Sequence, residues 1–85
     1  MELEQLKIFT AVAENKSFTK GAKKLYISHS TTSRAVSALE EELGVRLFER
    51  DNKIFSLTKE GEYLLKESRE LIGRAENIRY KIKNL

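Results

Sequence analysis

The feature that most constrains this chain is a pair of short helical segments joined by only two residues. Apolar residues at helical spacing predict one helix over residues 18–25 and another that begins after Ser28 and ends near Leu43. The hydroxyl of Ser28 is suited to cap the second helix. Because the connection at residues 26–27 is so short, the pair is predicted to form a helix-turn-helix over residues 18–37.

The neighbouring segments predict a further helix and a small β structure. Residues 3–14 have helical apolar spacing. β-favouring residues at 45–49 and 54–57, separated by turn-prone residues 51–52, predict a two-stranded wing. Gly21 within the helix over residues 18–25 costs about 1 kcal/mol relative to alanine, which suggests that another helix approaches closely there. The predicted fold class is therefore mainly α, a winged helix-turn-helix with a three-helix core plus a two-stranded β wing.

A long C-terminal dimerisation helix is predicted over residues 59–85, after a winged helix-turn-helix domain over residues 1–58. Thr58 is suited to cap this helix. An apolar seam at steps of three and four residues comprises Leu64, Leu71, Ala75, Ile78, Ile82 and Leu85, with Ser68 in the one polar slot. A seam of roughly three heptads is too exposed to be stable alone. We therefore expect a homodimer through this helix, while its first turns lie on the domain's own core.

Composition argues against several classes of protein. Eighty-five residues suffice for one small domain and an appendage. The chain has no cysteine, one histidine, and no Gly-rich phosphate loop, metal-spacing cluster or nucleophile elbow, so we expect no enzyme, no metal and no cofactor. It has neither an apolar run of membrane-spanning length nor the start of a signal peptide. A soluble, cytoplasmic protein without a membrane partner is expected.

Charge is distributed unevenly along the chain, although the net charge is only +3. Residues 15–39 contain no Asp or Glu, and their basic residues are Lys16, Lys20, Lys23, Lys24 and Arg34. The acidic run at residues 40–42 is expected to be a solvated helix end that discourages contact with a polyanion. A basic run alone is ordinarily a solvated face. Its coincidence with a hydroxyl-rich helix start favours double-stranded DNA as the partner.

The first ten residues of the second helix-turn-helix segment carry the chemistry that a DNA groove requires. Small residues such as Ser30 and Ser33 let the backbone enter the groove, and hydroxyl groups can donate to phosphates. Arg34 can donate two hydrogen bonds to guanine, worth about 1–3 kcal/mol of discrimination. The backbone or supporting contacts are predicted to be Thr19, Lys20, Ser28, Thr31 and Ser37, with Arg50 and Lys53 in the wing reaching the minor groove or its backbone.

Three alternatives remain open on these residues. His29 can donate to or accept from a base edge, can pair with a phosphate when protonated, or can be an exposed histidine without a specific role. Arg50 can instead form a surface ion pair with Asp51 or Glu49, which would contribute little to stability. The whole chain could also be a winged-helix protein-interaction module that lacks sequence-specific DNA binding and docks its amphipathic tail on another protein.

Several short motifs stand at fixed spacings over residues 1 to about 65. They are Leu3-x-Gln5-Leu6-x-x-Phe9-x-x-Val12-Ala13-Glu14, Ser17-Phe18-Thr19-x-x-Ala22-x-x-Leu25-x-x-Ser28, Ser33, Leu39-Glu40, Leu43-Gly44, Leu47-Phe48-x-Arg50 and Leu57-Thr58-x-x-Gly61. This set resembles the N-terminal DNA-binding domain and linker helix of LysR-type bacterial transcriptional regulators. The resemblance implies a winged helix-turn-helix and a long linker helix that pairs two protomers.

The resemblance also implies sequence-specific DNA binding as a dimer, and regulation of transcription. A dimer of this kind is expected to bind an inverted-repeat site. The family's base-contact positions correspond to His29, Ser30, Ser33 and Arg34. The family usually has Gln, then Pro or Ser, where His29 and Ser30 stand, so the base preference is expected to differ at His29. In the family a C-terminal domain senses a small-molecule effector, which is expected to act only through such a domain and not through these 85 residues.

Overall fold

The computed structural model describes residues 1–50 and 54–85. Four helices lie in this part of the chain: α1 (Leu3–Asn15), α2 (Phe18–Leu25), α3 (His29–Leu43) and α4 (Lys59–Lys83). Their bounds agree with the predicted helices to within two residues at each end. The predicted mainly helical fold is therefore confirmed, and none of the described helices is long and apolar enough to cross a membrane.

Hydroxyl caps begin two of the helices that the sequence predicted to be capped. The side chain of Ser28 accepts a hydrogen bond from the backbone N–H of Thr31 at 3.0 Å, and that of Thr58 accepts from Gly61 at 3.0 Å. Each bond satisfies one of the backbone donors that a helix start leaves without a partner. At the other end of α3, Gly44 takes up the left-handed conformation with φ of +69°.

The predicted two-stranded wing is not confirmed by the described residues. A single antiparallel bridge joins Phe48 and Leu57, and the N–H of Glu49 donates to the carbonyl of Ser56 at 3.0 Å. Phe48 is 2% exposed, so this pairing occurs where the two segments lie on the core. The predicted turn at residues 51–52 and the predicted wing residue Lys53 lie outside the described residues.

The core forms around α1. The largest fully buried side chains include Phe9, Val12, Leu39 and Leu47, each no more than 1% exposed. Aromatic rings extend this core toward the bridged segments, because the centroid of Phe48 lies 5.4 Å from that of Phe9, 5.4 Å from that of Phe18 and 5.1 Å from that of Phe55. The start of α2 and the segment after α3 therefore pack on the same core.

Two glycines allow the backbone to approach closely. A Cβ atom on Gly21 would lie 2.8 Å from the Cα of Val12, so α2 can pack on α1 only without a side chain here. This contact confirms the close helix approach that the sequence suggested. A Cβ atom on Gly61 would lie 2.1 Å from the carbonyl oxygen of Leu47, which joins the first turn of α4 to the segment after α3.

The first turns of α4 belong to the domain body. Leu64 is 9% exposed within the core cluster and Ser68 is fully buried. This burial confirms the expectation that the first turns of α4 lie on the domain's own core. It also removes Leu64 and Ser68 from the predicted dimerisation seam, because the packing of α4 on α1 and the core already covers them. Leu43, at the end of α3, is by contrast 40% exposed, although it continues the apolar spacing of that helix.

Candidate nucleic-acid interface

A cluster of hydroxyl groups organises the start of α3. Besides accepting the Thr31 N–H, the Ser28 hydroxyl donates to the Thr31 hydroxyl at 2.9 Å and lies 3.3 Å from that of Ser30. Thr32 is completely buried and donates its hydroxyl to the Ser28 carbonyl at 3.0 Å. Ser28 and Thr32 therefore shape the helix start, while Ser30 and Thr31 are exposed on its surface.

The next turn of α3 carries an imidazole and a hydroxyl group in contact. His29 Nδ1 lies 3.4 Å from the Ser33 hydroxyl, one helical turn later. The imidazole ring also lies 6.2 Å from the ring of Phe18, measured between centroids. Arg34 is exposed beside them. The structure thus places all four predicted base-reading residues on the first two turns of α3, with His29 braced on one side by Phe18.

The first turn of α2 lies next to the start of α3, as the contact between Phe18 and His29 shows. Thr19 and Lys20, the predicted backbone contacts, are exposed there. The backbone N–H of Lys20 donates to the Ser17 hydroxyl at 3.1 Å, which caps α2 and leaves the ammonium group of Lys20 on the surface. Hydrogen-bond donors at the start of α2 therefore lie on the protein surface next to those at the start of α3.

A depression of about 200 Å³ separates α3 from the bridged segments. It is lined by Phe18, His29, Ser33, Val36, Ser37 and Arg50. The predicted wing residue Arg50 is therefore brought to the same face as Ser37, which the sequence had assigned to DNA backbone contact. The lining contains hydroxyl, imidazole and guanidinium groups and no carboxylate.

Arg50 is paired with Glu40 and not with the suggested partner Glu49. The other suggested partner, Asp51, lies outside the described residues. Its Nη2 donates to Oε1 of Glu40 at 2.5 Å, and the other oxygen of that carboxylate accepts the backbone N–H of Leu47 at 2.8 Å. The Glu40 side chain is only 9% exposed. The expectation of a solvated acidic run is therefore wrong for Glu40, because groups from the segment after α3 satisfy both of its oxygens. Glu40 is the residue at this face that sequence reasoning missed, and its acidic neighbours Glu41 and Glu42 concealed it.

The second half of α4 exposes an apolar stripe. Leu71 is 48% exposed, Ile78 55%, Ile82 67% and Leu85 fully, and Ala75 lies half-buried between them. Next to Leu71 an apolar groove of about 660 Å³ lies between α4, the N-terminus and the end of α3. Its apolar lining residues are Met1, Leu43, Val45, Leu47, Tyr63, Leu64 and Leu71. The predicted dimerisation residues other than Leu64 are thus on the surface.

Residues 1–50 and 54–85 contain no group of three or more His, Cys, Asp or Glu side chains positioned to hold an ion. The features that remain for recognition are the exposed donors of α2 and α3, the depression at Arg50, and the stripe on α4.

This fold and surface define a helix-turn-helix domain whose second helix exposes a polar, carboxylate-free N-terminal half. A family described as "Bacterial regulatory helix-turn-helix protein, lysR family" matches residues 3–62. The chain belongs to this family.

Individual relatives agree with the family assignment. The chain is 39% identical to the uncharacterized HTH-type transcriptional regulator YbhD of Escherichia coli K12, over 99% of this chain and 26% of that protein. It is 40% identical to the HTH-type transcriptional regulator BenM of Acinetobacter baylyi, over 92% of this chain and 26% of that protein. The chain therefore spans about a quarter of the length of these relatives.

Solved structures with the same fold include two complexes with DNA. The BenM DBD in complex with catB site 1 DNA superposes with a TM-score of 0.94 and 38% identity, covering 99% of this chain and 94% of that one. The CbnR DBD–DNA complex gives a TM-score of 0.89 and 36% identity, covering 99% and 97%. Full-length BenM also matches, with a TM-score of 0.91 over 27% of its chain.

Proposed function

We propose that this chain is the DNA-binding part of a lysR-family regulator, which binds double-stranded DNA sequence-specifically and regulates transcription in the bacterial cytoplasm. The observation that carries the proposal is the exposed, carboxylate-free start of α3 on a fold that superposes on two proteins solved with DNA. Helix-turn-helix proteins place the N-terminal residues of such a helix against base edges in the major groove. The role is one of recognition rather than catalysis.

Within this proposal the side chains of α3 divide into base-reading and backbone-contacting groups. Arg34 is exposed and long enough to donate hydrogen bonds from both of its terminal nitrogens to guanine O6 and N7. His29 and Ser30 in the preceding turn, and Ser33 next to Arg34, read neighbouring base edges. Ser28 and Thr31 support the helix start through their mutual hydrogen bonds, and their outer surface faces phosphate oxygens.

The remaining backbone contacts come from elements beside α3. Thr19 and Lys20 at the start of α2 lie next to His29 through Phe18, so their donors are close to the same DNA strand. The segments at residues 45–50 and 54–57 form the base of a wing that flanks α3. Their single bridge and the hydrogen bond between Glu49 and Ser56 support this assignment.

The proposed functional unit is a homodimer formed through α4. An isolated helix of this composition gains most of its stability from packing of its apolar face. The stripe from Leu71 to Leu85 is exposed in one protomer and is continuous with the apolar groove at Leu71. A second copy of the chain would cover both, and two-fold pairing would place the two α3 helices on an inverted-repeat site.

Binding-site selection from random duplexes, followed by a salt series on the selected site, tests this function. We expect enrichment of an inverted repeat and a steep linear fall of log K with log salt, because each neutralised phosphate releases counterions. A duplex of scrambled sequence is the control and should bind more weakly with a similar salt response. Selection that enriches no sequence, or binding that is insensitive to salt, would refute the proposed function.

A further inference from the structure

Within the described residues, the ion pair at the edge of the depression uses only part of the hydrogen-bonding capacity of Arg50. A guanidinium group carries five N–H donors. Within residues 1–50 and 54–85, Arg50 donates one hydrogen bond, from Nη2 to Glu40. The Arg50 side chain remains 38% exposed and lines the depression together with Ser33 and Ser37. Glu40 therefore fixes the position of the guanidinium group without using all of its N–H donors.

Glu40 is itself immobilised from two sides. One of its oxygens accepts the Leu47 N–H at 2.8 Å, and the other accepts from Arg50. Residues 33, 37 and 40 share one face of α3, because their separations of four and three residues correspond to about one helical turn each. The carboxylate thus lies beneath the surface at the end of a row of hydroxyl groups, and its charge is turned toward Arg50 rather than toward solvent.

We propose that this depression binds one phosphate group of the DNA backbone, with Arg50 and Ser37 as donors and Glu40 as the residue that positions Arg50. This inference rests on the proposed function. The depression of about 200 Å³ is open to solvent, so a phosphate group on the DNA surface has room to approach Arg50 and Ser37. Apart from the apolar Phe18 and Val36, its lining groups include donors and no carboxylate, which suits an anion.

The position along α3 favours a phosphate over a base. Ser37 lies eight residues after His29, about 12 Å further along the helix axis. The N-terminal end of a recognition helix reaches the base edges, while residues two turns later lie beside the sugar-phosphate backbone of the DNA. Arg50 and Ser37 therefore hold the backbone beside the groove that His29 and Arg34 enter.

The test compares Arg50→Ala, Glu40→Gln and the control Glu41→Gln by fluorescence anisotropy on a 25-base-pair duplex of random sequence at several salt concentrations. Arg50→Ala should weaken binding about tenfold and reduce the slope of log K against log salt by about 0.9, the value for one phosphate. Glu40→Gln retains an oxygen for the Leu47 N–H but loses the charge that holds Arg50. It should weaken binding severalfold, even though it makes the protein more positive.

The control separates positioning from net charge. Glu41 is the exposed neighbour on the same helix, and Glu41→Gln makes the same change in charge. It should leave binding unchanged or tighten it, as a simple electrostatic effect predicts. Because Glu40 acts through Arg50, adding Glu40→Gln to Arg50→Ala should cause no further loss.

Several results would overturn the inference. An unchanged salt slope in Arg50→Ala would do so while leaving DNA binding intact. Glu40→Gln that tightens binding as Glu41→Gln does would show that Glu40 does not position Arg50. Thermal unfolding identifies a Glu40→Gln variant that fails to fold, and the salt slope of Arg50→Ala then decides alone. Absence of salt-dependent binding by the parent chain would instead refute the proposed function, and this inference with it.

Discussion

The hydroxyl of Thr58 donates a hydrogen bond to the carbonyl oxygen of Arg46 at 2.7 Å. The Thr58 hydroxyl oxygen also accepts a hydrogen bond from the backbone N–H of Gly61 at 3.0 Å, and the Thr58 N–H donates to the Leu47 carbonyl at 3.0 Å. One residue therefore caps α4 and attaches it to the segment that follows α3. The stability of the helix start and the position of that segment are coupled.

Removal of the Thr58 hydroxyl should destabilise the protein. Thr58→Val deletes the cap and leaves the Arg46 carbonyl without its donor, so we expect a loss of about 1–2 kcal/mol in the free energy of unfolding, measured by urea denaturation. Thr58→Ser retains the hydroxyl and should lose much less. Equal losses in the two variants would contradict the hydrogen-bonding explanation.

Two glycines of α4 should respond to alanine with opposite signs. Gly61→Ala would place a Cβ atom 2.1 Å from the Leu47 carbonyl oxygen, so overpacking should destabilise the protein by about 1–3 kcal/mol. A Cβ atom on Gly73 would meet nothing within 4 Å, and Gly73→Ala should stabilise the helix by up to about 1 kcal/mol. Urea denaturation of both variants at the same protein concentration distinguishes them. The same sign in both would show that the contact at Leu47 is not limiting.

Arg34→Ala should reduce specificity more than general affinity. Loss of a bidentate contact with guanine costs about 1–3 kcal/mol, so binding to a selected site should weaken roughly ten- to a hundredfold. Binding to random duplex should change far less. Arg74→Ala, which removes the same charge from an exposed position on α4, serves as the control. If the Arg34 variant still discriminated between the two duplexes as the parent does, the base-reading role would be wrong.

Substitution of His29 should change which sequence is preferred. His29→Gln replaces the imidazole by the amide that is usual in related proteins, and an amide can both donate to and accept from an adenine edge. Repeated binding-site selection should therefore show a changed base at one position of each half-site, with the rest of the site retained. Thr19→Ala, at a predicted backbone contact, should leave the consensus unchanged. An identical consensus for His29→Gln and the parent would assign His29 no reading role.

Charges placed in the α4 stripe should separate the dimer. Ile78 and Ile82 are 55% and 67% exposed in one protomer, so lysine at both positions should be tolerated by the fold and exclude a partner helix. Sedimentation should then show monomers. Tyr80→Lys alters an equally exposed residue away from the stripe and should leave dimers intact. Dimers that persist in the double variant would place the interface elsewhere.

The helices could be predicted from sequence because their signals are local. Apolar spacing and the hydroxyl caps Ser17, Ser28 and Thr58 lie within a few residues of the structures that they determine. Gly21 could be interpreted for the same reason, since a glycine inside a helix has a known cost. These signals determined the fold class and the surface of α3 that carries His29 and Arg34.

The remaining features depend on contacts between distant segments. The motif that contains Glu40 does not show that this residue is buried while its neighbours Glu41 and Glu42 are exposed. Only the return of residues 47 and 50 to α3 makes Glu40 a buried acceptor. Leu64 and Leu71 occupy the same periodic pattern, but the length of the core beneath α4 decides that one is covered and the other exposed. The wing prediction relied on β propensity, which reflects packing against neighbours more than backbone preference.

Because α4 is one continuous helix from its cap at Thr58 to Lys83, it connects the three-helix body to the apolar stripe without a hinge. Its 25 residues extend about 37 Å, and the described chain is 49 Å long but only 25 Å across. A tilt of about 10° at the first turns would displace the far end by roughly 6 Å. In a two-fold pair, the crossing angle of the two α4 helices would therefore set the distance between the half-sites.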